Sequence, residues 1–168
     1  LFSGGKDLRG PQASGLIVGK KALVEACAVH NCPNYGVGRP MKVAKETIIG
    51  LLKAIELYLQ QDFDAEMRAW ERKRDYLVEQ LSTLSHVRVS PHQPIAPGSP
   101  ASYYLPAVYI TIDERRLGLT VDQVIDQLRE GEPGIVVDRS ETGIVLRIQM
   151  MQDGEEMLVA KRLKEILG

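Results

Sequence analysis

Residues 2–20 read FSGGKDLRGPQASGLIVGK, and the choice of fold hangs on this stretch. Leu1-Phe2-Ser3 has the character of the end of a buried strand running into a glycine turn. Leu16-Ile17-Val18 is a second apolar, β-branched run bounded by Gly15 and Gly19, which suits a buried strand. A strand that short needs neighbours, so the sequence predicts that other strands precede it and that these residues are the carboxy-terminal part of a longer chain. Lys6 stands on the turn, a short rigid platform from which its amine can be aimed at a carbonyl, as Schiff-base chemistry requires. The amine is nucleophilic only when neutral, and its reference pKa of about 10.4 has to be lowered by burial or by nearby cations such as Arg9. The Ser3 hydroxyl can hydrogen-bond a phosphate ester, and Gly4 and Gly5 let backbone N–H groups approach the same anion. The triplet Gly4-Gly5-Lys6 reads equally as a surface turn ending in a solvated lysine, and spacing alone leaves both readings open. A Walker loop is excluded, because no G-x-x-x-x-G-K-[ST] pattern occurs.

Outward from this stretch, helical spacing appears in Lys20 to Val29 (Leu23, Val24, Ala26, Cys27). It dominates from Lys42 onward, with Ile48, Leu51, Leu52, Ile55 and Leu59, then Phe63, Met67, Trp70, Leu77, Leu81 and Leu84 after a break at Asp62. The Met and Trp of that stripe belong to packing. Six prolines or glycines between Ser90 and Pro106 rule out a helix there and mark a loop or extended segment. Beyond it, Ala107 to Ile112 reads as a strand, and Thr120 with Gln123 as a capping box opening a helix that turns Val121, Val124, Ile125 and Leu128 inward. Ile135-Val136-Val137 and Ile144 to Ile148 read as strands joined by a turn at 141–143, and a helix closes the chain from about Glu155 to Leu167. With His86 to Ser90 as a first strand, this tail is an α+β unit whose helices lie on one face of an antiparallel sheet.

The 168 residues, 44% hydrophobic and 26% charged, match a soluble globular chain rather than a disordered or fibrous one. Twenty-one Lys+Arg against 22 Asp+Glu leave no basic excess to drive binding to a phosphate backbone, so tRNA is not expected as a partner. No apolar run approaches the roughly 20 residues of a membrane helix, and the first residues lack the shape of a signal peptide, so a cytoplasmic location with no membrane contact is expected. Cys27, His30 and Cys32 lack a second ligand pair for structural zinc and read as ordinary thiols and a surface imidazole, so no metal site is expected. His86 and His92 likewise lack partners.

The run from Phe2 to Lys20 resembles the cofactor-lysine segment of fold-type-I pyridoxal-phosphate enzymes, in particular the group related to bacterial selenocysteine synthase (seryl-tRNA(Sec) selenium transferase) and D-glucosaminate-6-phosphate ammonia-lyase. Residues 38–52, GRPMKVAKETIIGLL, resemble the same group's segment leading into the long helix between large and small domains. The resemblance covers essentially all 168 residues and is strongest in the first 60. It implies an α/β fold of the aspartate aminotransferase type: residues 1–46 as the end of the large domain, 47–84 as connecting helices, and 85–168 as a small α+β carboxy-terminal domain.

Carried over, Lys6 is the catalytic lysine that binds pyridoxal 5'-phosphate and then moves protons at the substrate α and β carbons. Ser3, Gly4, Gly5 and Gln12 join it as cofactor-binding residues. Arg39 and Lys42 align with cations that bind an anionic group of the substrate, although both also suit a solvated helix start. Arg147 lies where many of these enzymes fork the substrate carboxylate, and an exposed strand arginine is equally ordinary there. Selenocysteine synthases usually carry Ser-Gly-Asp-Lys, whereas Gly5 replaces the acidic residue here, which favours the small-molecule branch. The implied activity is lyase-like elimination on an amino acid or phosphorylated amino sugar acid, in a homodimer or larger homo-oligomer. Selenium transfer on seryl-tRNA, or a non-catalytic homologue serving assembly, are the alternatives.

Overall fold

A computed structural model describes residues 1–91 and 105–168. The expectations placed on Ser90 to Pro106 therefore fall largely outside the described residues, as does His92. By contacts the chain forms two units, Leu1–Asp62 and Phe63–Gly168.

The first unit holds β1 (Phe2–Ser3), β2 (Gly15–Leu16), α1 (Lys21–Val29), a 3-10 turn at Arg39–Met41 and α2 (Lys45–Leu59). β1 and β2 pair antiparallel over two rungs, Phe2 with Leu16 and Ser3 with Gly15. The expectation of buried strands is not met. Phe2, Ile17 and Val18 are exposed, and the second strand stops at Leu16, because among the described residues no further strand or helix covers the pair. The packed part of the unit is the inner face of α2, where Leu51 and Ala54 are buried. Its other face leaves Ile48, Ile49, Leu52 and Leu59 exposed.

The second unit holds α3 (Phe63–Leu81), β3 (Val87–Pro91), β4 (Ala107–Ile112), α4 (Glu114–Leu117), α5 (Val121–Arg129), β5 (Asp138–Arg139), β6 (Gly143–Arg147), a 3-10 turn at Ile148–Met150, and α6 (Glu155–Leu167). The helical middle is thus two helices broken at residues 60–62, and α3 packs within the second unit. The sheet runs β3-β4-β6-β5, antiparallel throughout. Its alternation is regular: Val87 faces Ile112, Val89 faces Ile110, Ile110 faces Ile144 and Val108 faces Leu146. Val108, Ile110, Ile112, Ile144 and Leu146 form one buried core with Leu77 and Leu81 of α3, Val124 and Leu128 of α5, and Leu163 and Leu167 of α6, and Val87 and Val89 pack against it half-buried. Trp70 packs against its margin, as the helical stripe predicts.

The capping box is present, Thr120 Oγ1 accepting from Gln123 N–H at 3.2 Å and Gln123 Oε1 from Thr120 N–H at 2.9 Å. Residues 135–137 form no strand. Ile135 N–H donates to the Leu128 carbonyl at 2.8 Å, so this segment is tied to the end of α5 and sheet pairing begins only at Asp138. The last strand ends at Arg147 and Ile148 enters the 3-10 turn. Among the described residues no helix is long and apolar enough to cross a membrane, and no cluster of three metal-ligating side chains occurs.

Candidate cofactor-lysine site

Between β1 and β2 the chain folds back on itself in a loop closed by its own hydrogen bonds. Gly4 N–H donates to the Ser14 carbonyl at 2.9 Å and Gly10 N–H to the Gly4 carbonyl at 2.7 Å. Arg9 N–H donates to the Lys6 carbonyl at 2.7 Å, and Arg9 takes a positive φ of 54° to complete the reversal. Ser14 fixes the returning limb, its N–H and its Oγ both donating to the Pro11 carbonyl, at 3.1 and 2.5 Å. Four backbone N–H groups of the loop, those of Gly4, Arg9, Gly10 and Ser14, thus find carbonyl partners within it, which ties the turn together.

The loop lies on α2 because small residues allow it. A Cβ at Gly50 would come within 2.7 Å of Pro11 Cγ, so only glycine lets the loop rest on the helix there. Gly4 is buried, and a Cβ on it would run into Ser14 Oγ and approach Leu51 Cδ1 to 2.8 Å. A Cβ on Gly5 would meet Gln12 Cα at 2.6 Å. The Gly4-Gly5 pair is therefore required by close approach of the two loop limbs, Gly4 facing Ser14 and Gly5 facing Gln12.

Lys6 sits on the outer turn of this platform, exposed, with no ion pair or hydrogen bond to its amine among the described residues. The burial that the sequence reading offered as one route to a reactive amine is not supplied here, and Arg9 is exposed as well. Ser3, at the end of β1, is exposed beside the turn, and so is Gln12. A free amine, a hydroxyl and a glycine turn on one fixed loop make a donor set that fits an aldehyde-bearing phosphate ester, the functional groups of pyridoxal phosphate.

Arg39 and Lys42 stand apart from that loop, on the 3-10 turn that leads into α2. Lys42 is exposed and extended at the end of the turn. Arg39 is half-buried; its Nη1 donates to Cys32 Sγ at 3.2 Å, its guanidinium carbon lies 5.9 Å from the centre of the Tyr35 ring, and its Nε is buried without a hydrogen-bond partner. Arg147 belongs to the second unit, on the sheet face opposite the core. There its Nε donates to Asp138 Oδ2 at 2.6 Å across neighbouring strands. A substrate carboxylate would have to displace Asp138 to be forked by Arg147.

Sequence reasoning overlooked Ser14, which locks the loop, and Cys32, which holds Arg39. A serine three residues after the proline of a Gly-Pro turn and a cysteine seven residues before an arginine are faint signals, since both contacts close across turns.

No protein-family profile matches the chain. Its whole length is nevertheless similar to known enzymes. It is 27% identical over 169 residues to D-glucosaminate-6-phosphate ammonia lyase of Salmonella typhimurium (strain 14028s / SGSC 2262), matching 99% of this chain and 42% of that protein. It is 30% identical over 171 residues to 5'-C-glycyluridine monooxygenase-decarboxylase of a Streptomyces species, matching 40% of that protein. It is 27% identical over 178 residues to L-seryl-tRNA(Sec) selenium transferase of Aquifex aeolicus (strain VF5), matching 38% of that protein. Among solved structures, that of D-glucosaminate-6-phosphate ammonia-lyase superposes with a TM-score of 0.62 at 27% identity, over 98% of this chain and 42% of that one.

The fold is thus the α/β fold of pyridoxal-phosphate enzymes. Within that class the chain is a homologue, along its whole length, of the group that includes the D-glucosaminate-6-phosphate ammonia-lyases and the seryl-tRNA selenium transferases. It spans about two fifths of the length of these relatives.

Proposed function

We propose that this chain supplies the cofactor lysine, Lys6, of a pyridoxal-phosphate-dependent lyase or transferase acting on an amino acid or a phosphorylated amino sugar acid. The observation that carries the reading is the self-bonded loop from Gly4 to Ser14, which presents Lys6 with its amine unengaged. Support comes from the three relatives, all of them enzymes, matched along the full chain. The relatives differ in reaction, so they support a class of enzyme and not a single product.

In this reading the bound cofactor supplies an electron sink that lets a bond to the substrate α carbon break. The protein's part is positional. Lys6 holds the cofactor through its amine and afterwards moves a proton at the substrate α or β carbon. Ser3 holds the phosphate, Gly4 and Gly5 shape the loop, the Gly4 N–H being already given to the Ser14 carbonyl, and Gln12 backs the turn by packing against Gly5. Arg39 and Lys42 bind the anionic end of the substrate, and Arg147 serves its carboxylate if Asp138 yields. A homodimer or larger ring, in the cytoplasm, completes the proposal, and the exposed apolar side chains of α2 are the kind of surface such an assembly covers.

The test is an absorption spectrum of the full-length protein purified with pyridoxal phosphate, then borohydride reduction and peptide mapping. A band near roughly 420 nm, with the reduced adduct on Lys6 and lost in Lys6→Ala, is the expected result. No band and no adduct would leave a non-catalytic homologue as the better account. The relative from Aquifex favours one further reading, a transferase acting on aminoacyl-tRNA, and salt-sensitive tRNA binding by the full-length protein would select it.

A further inference from the structure

We infer that Cys32 is a positioning residue for Arg39, holding its guanidinium ready to receive the anionic group of the substrate; this rests on the proposed role of Arg39 in that reading. Several arginines of this chain are held by carboxylates: Arg147 by Asp138, Arg139 by Asp122, Arg162 by Glu165. Such a partner fixes the side chain and also spends its charge. Arg39 is held differently, by Nη1–H donating to a sulfur at 3.2 Å with the Tyr35 ring 5.9 Å from its guanidinium carbon. Sulfur is a weak acceptor, enough to select one orientation of the guanidinium while leaving its charge for another ligand.

Two further observations point to an anion. The Nε–H of Arg39 is buried and has no hydrogen-bond partner among the described residues, and native proteins seldom leave a buried donor unfilled. Between Glu25 and Glu46 the chain has no acidic residue, while Arg39, Lys42 and Lys45 all fall in that interval.

The holder itself is fixed by the loop around it. Asn31 Oδ1 accepts from Cys32 N–H at 2.9 Å, Asn34 N–H donates to the Asn31 carbonyl at 2.9 Å, and Gly38 N–H donates to the His30 carbonyl at 2.8 Å. Asn34 Nδ2 reaches back to the Ala28 carbonyl at 3.1 Å, at the end of α1. Cys32 Sγ and Arg39 are thus brought together by bonds that involve neither side chain.

The test follows the side-chain Nε–Hε resonance of Arg39 in the full-length protein, assigned by its loss in Arg39→Lys, during titration with inorganic phosphate. The signal should move saturably. In Cys32→Ala the midpoint should rise about three- to tenfold, the effect of losing one modest hydrogen bond, whereas Cys32→Ser, which keeps an acceptor, should stay within about twofold of the unsubstituted protein. Cys32→Val, near in volume and without an acceptor, should behave like Cys32→Ala and serves if the alanine variant misfolds. A midpoint unchanged in both Cys32→Ala and Cys32→Val, or no movement in the unsubstituted protein, overturns the inference. Because the phosphate response needs no cofactor, borohydride trapping on Lys6 separates the two claims: trapping with a Cys32-independent midpoint refutes this inference alone, and a Cys32-dependent midpoint without trapping refutes the cofactor reading alone.

Discussion

Replacing Gly4 by alanine tests whether the loop that carries Lys6 is held shut by close packing. Gly4 is buried, its N–H is given to the Ser14 carbonyl and its carbonyl receives the Gly10 N–H. An added Cβ would fall on Ser14 Oγ and come within 2.8 Å of Leu51 Cδ1. Ser14 would have to swing away from the Pro11 carbonyl, forfeiting a hydrogen bond of about 0.5–1.5 kcal/mol. The remaining crowding against Leu51, on the packed face of α2, costs about 1–3 kcal/mol by analogy with overfilled cores. Together these destabilise the closed loop by about 1.5–4.5 kcal/mol. The assay is borohydride trapping of pyridoxal phosphate on Lys6 in the full-length protein, read by peptide mass across a cofactor titration beside a urea unfolding curve. Gly4→Ala should weaken trapping strongly. The double variant Gly4→Ala/Ser14→Gly, in which the colliding side chain is gone, should recover part of it, giving a favourable coupling of at least about 1 kcal/mol. Unchanged trapping in Gly4→Ala, or a double variant no better than the sum of the singles, would refute the claim that the two limbs are packed as tightly as described.

In the second unit, Leu163→Ala should lower stability by about 2–5 kcal/mol in urea unfolding, because the side chain is fully buried where α6 meets the core; a loss below about 1 kcal/mol would mean that the core closes around the gap. Thr120→Ala should cost about 1 kcal/mol in the same assay, and adding Gln123→Ala should cost less than Gln123→Ala costs alone, since each removes half of one reciprocal pair. The Asp153 carboxyl is held below the usual carboxylate range by its hydrogen bond to Lys73 and by the charge of that lysine, 2.8 Å away. A lowered folded pKa means that the contribution is present above the unfolded value of about 3.9 and is lost as pH falls through the folded value. Asp153 is fully exposed, so the effect is best read directly: a carboxyl NMR titration should show its midpoint return toward about 3.9 in Lys73→Met, and an unmoved midpoint would remove Lys73 as the cause.

Why the second unit was easier to read than the first follows from where each keeps its partners. In the tail, strand alternation and helix periodicity refer to a core that the same residues build: Ile110 and Ile144 pair with each other, and Leu128 and Leu163 close over them. Local pattern and tertiary burial therefore agree, and even the capping box could be seen, since its two partners are three residues apart. The miss at Ile135-Val136-Val137 shows the limit. Three β-branched residues favour a strand, but Ile135 N–H is taken by the Leu128 carbonyl at the end of α5, and no periodicity reports that capture. In the first unit, Ile17 and Val18 of the apolar run Leu16-Ile17-Val18 are exposed, so their pattern refers to burial that these residues do not provide for one another. What remained legible there was the glycine turn with its lysine, because glycines forced by close approach leave a mark in the sequence itself. Ser14 and Cys32 left none: each acts through one contact across a turn, and a serine or a cysteine is compatible with many other settings. The residues that hold Lys6 and Arg39 in place are thus harder to read than the residues they hold, since a reactive or charged group is constrained by its chemistry and its support only by geometry.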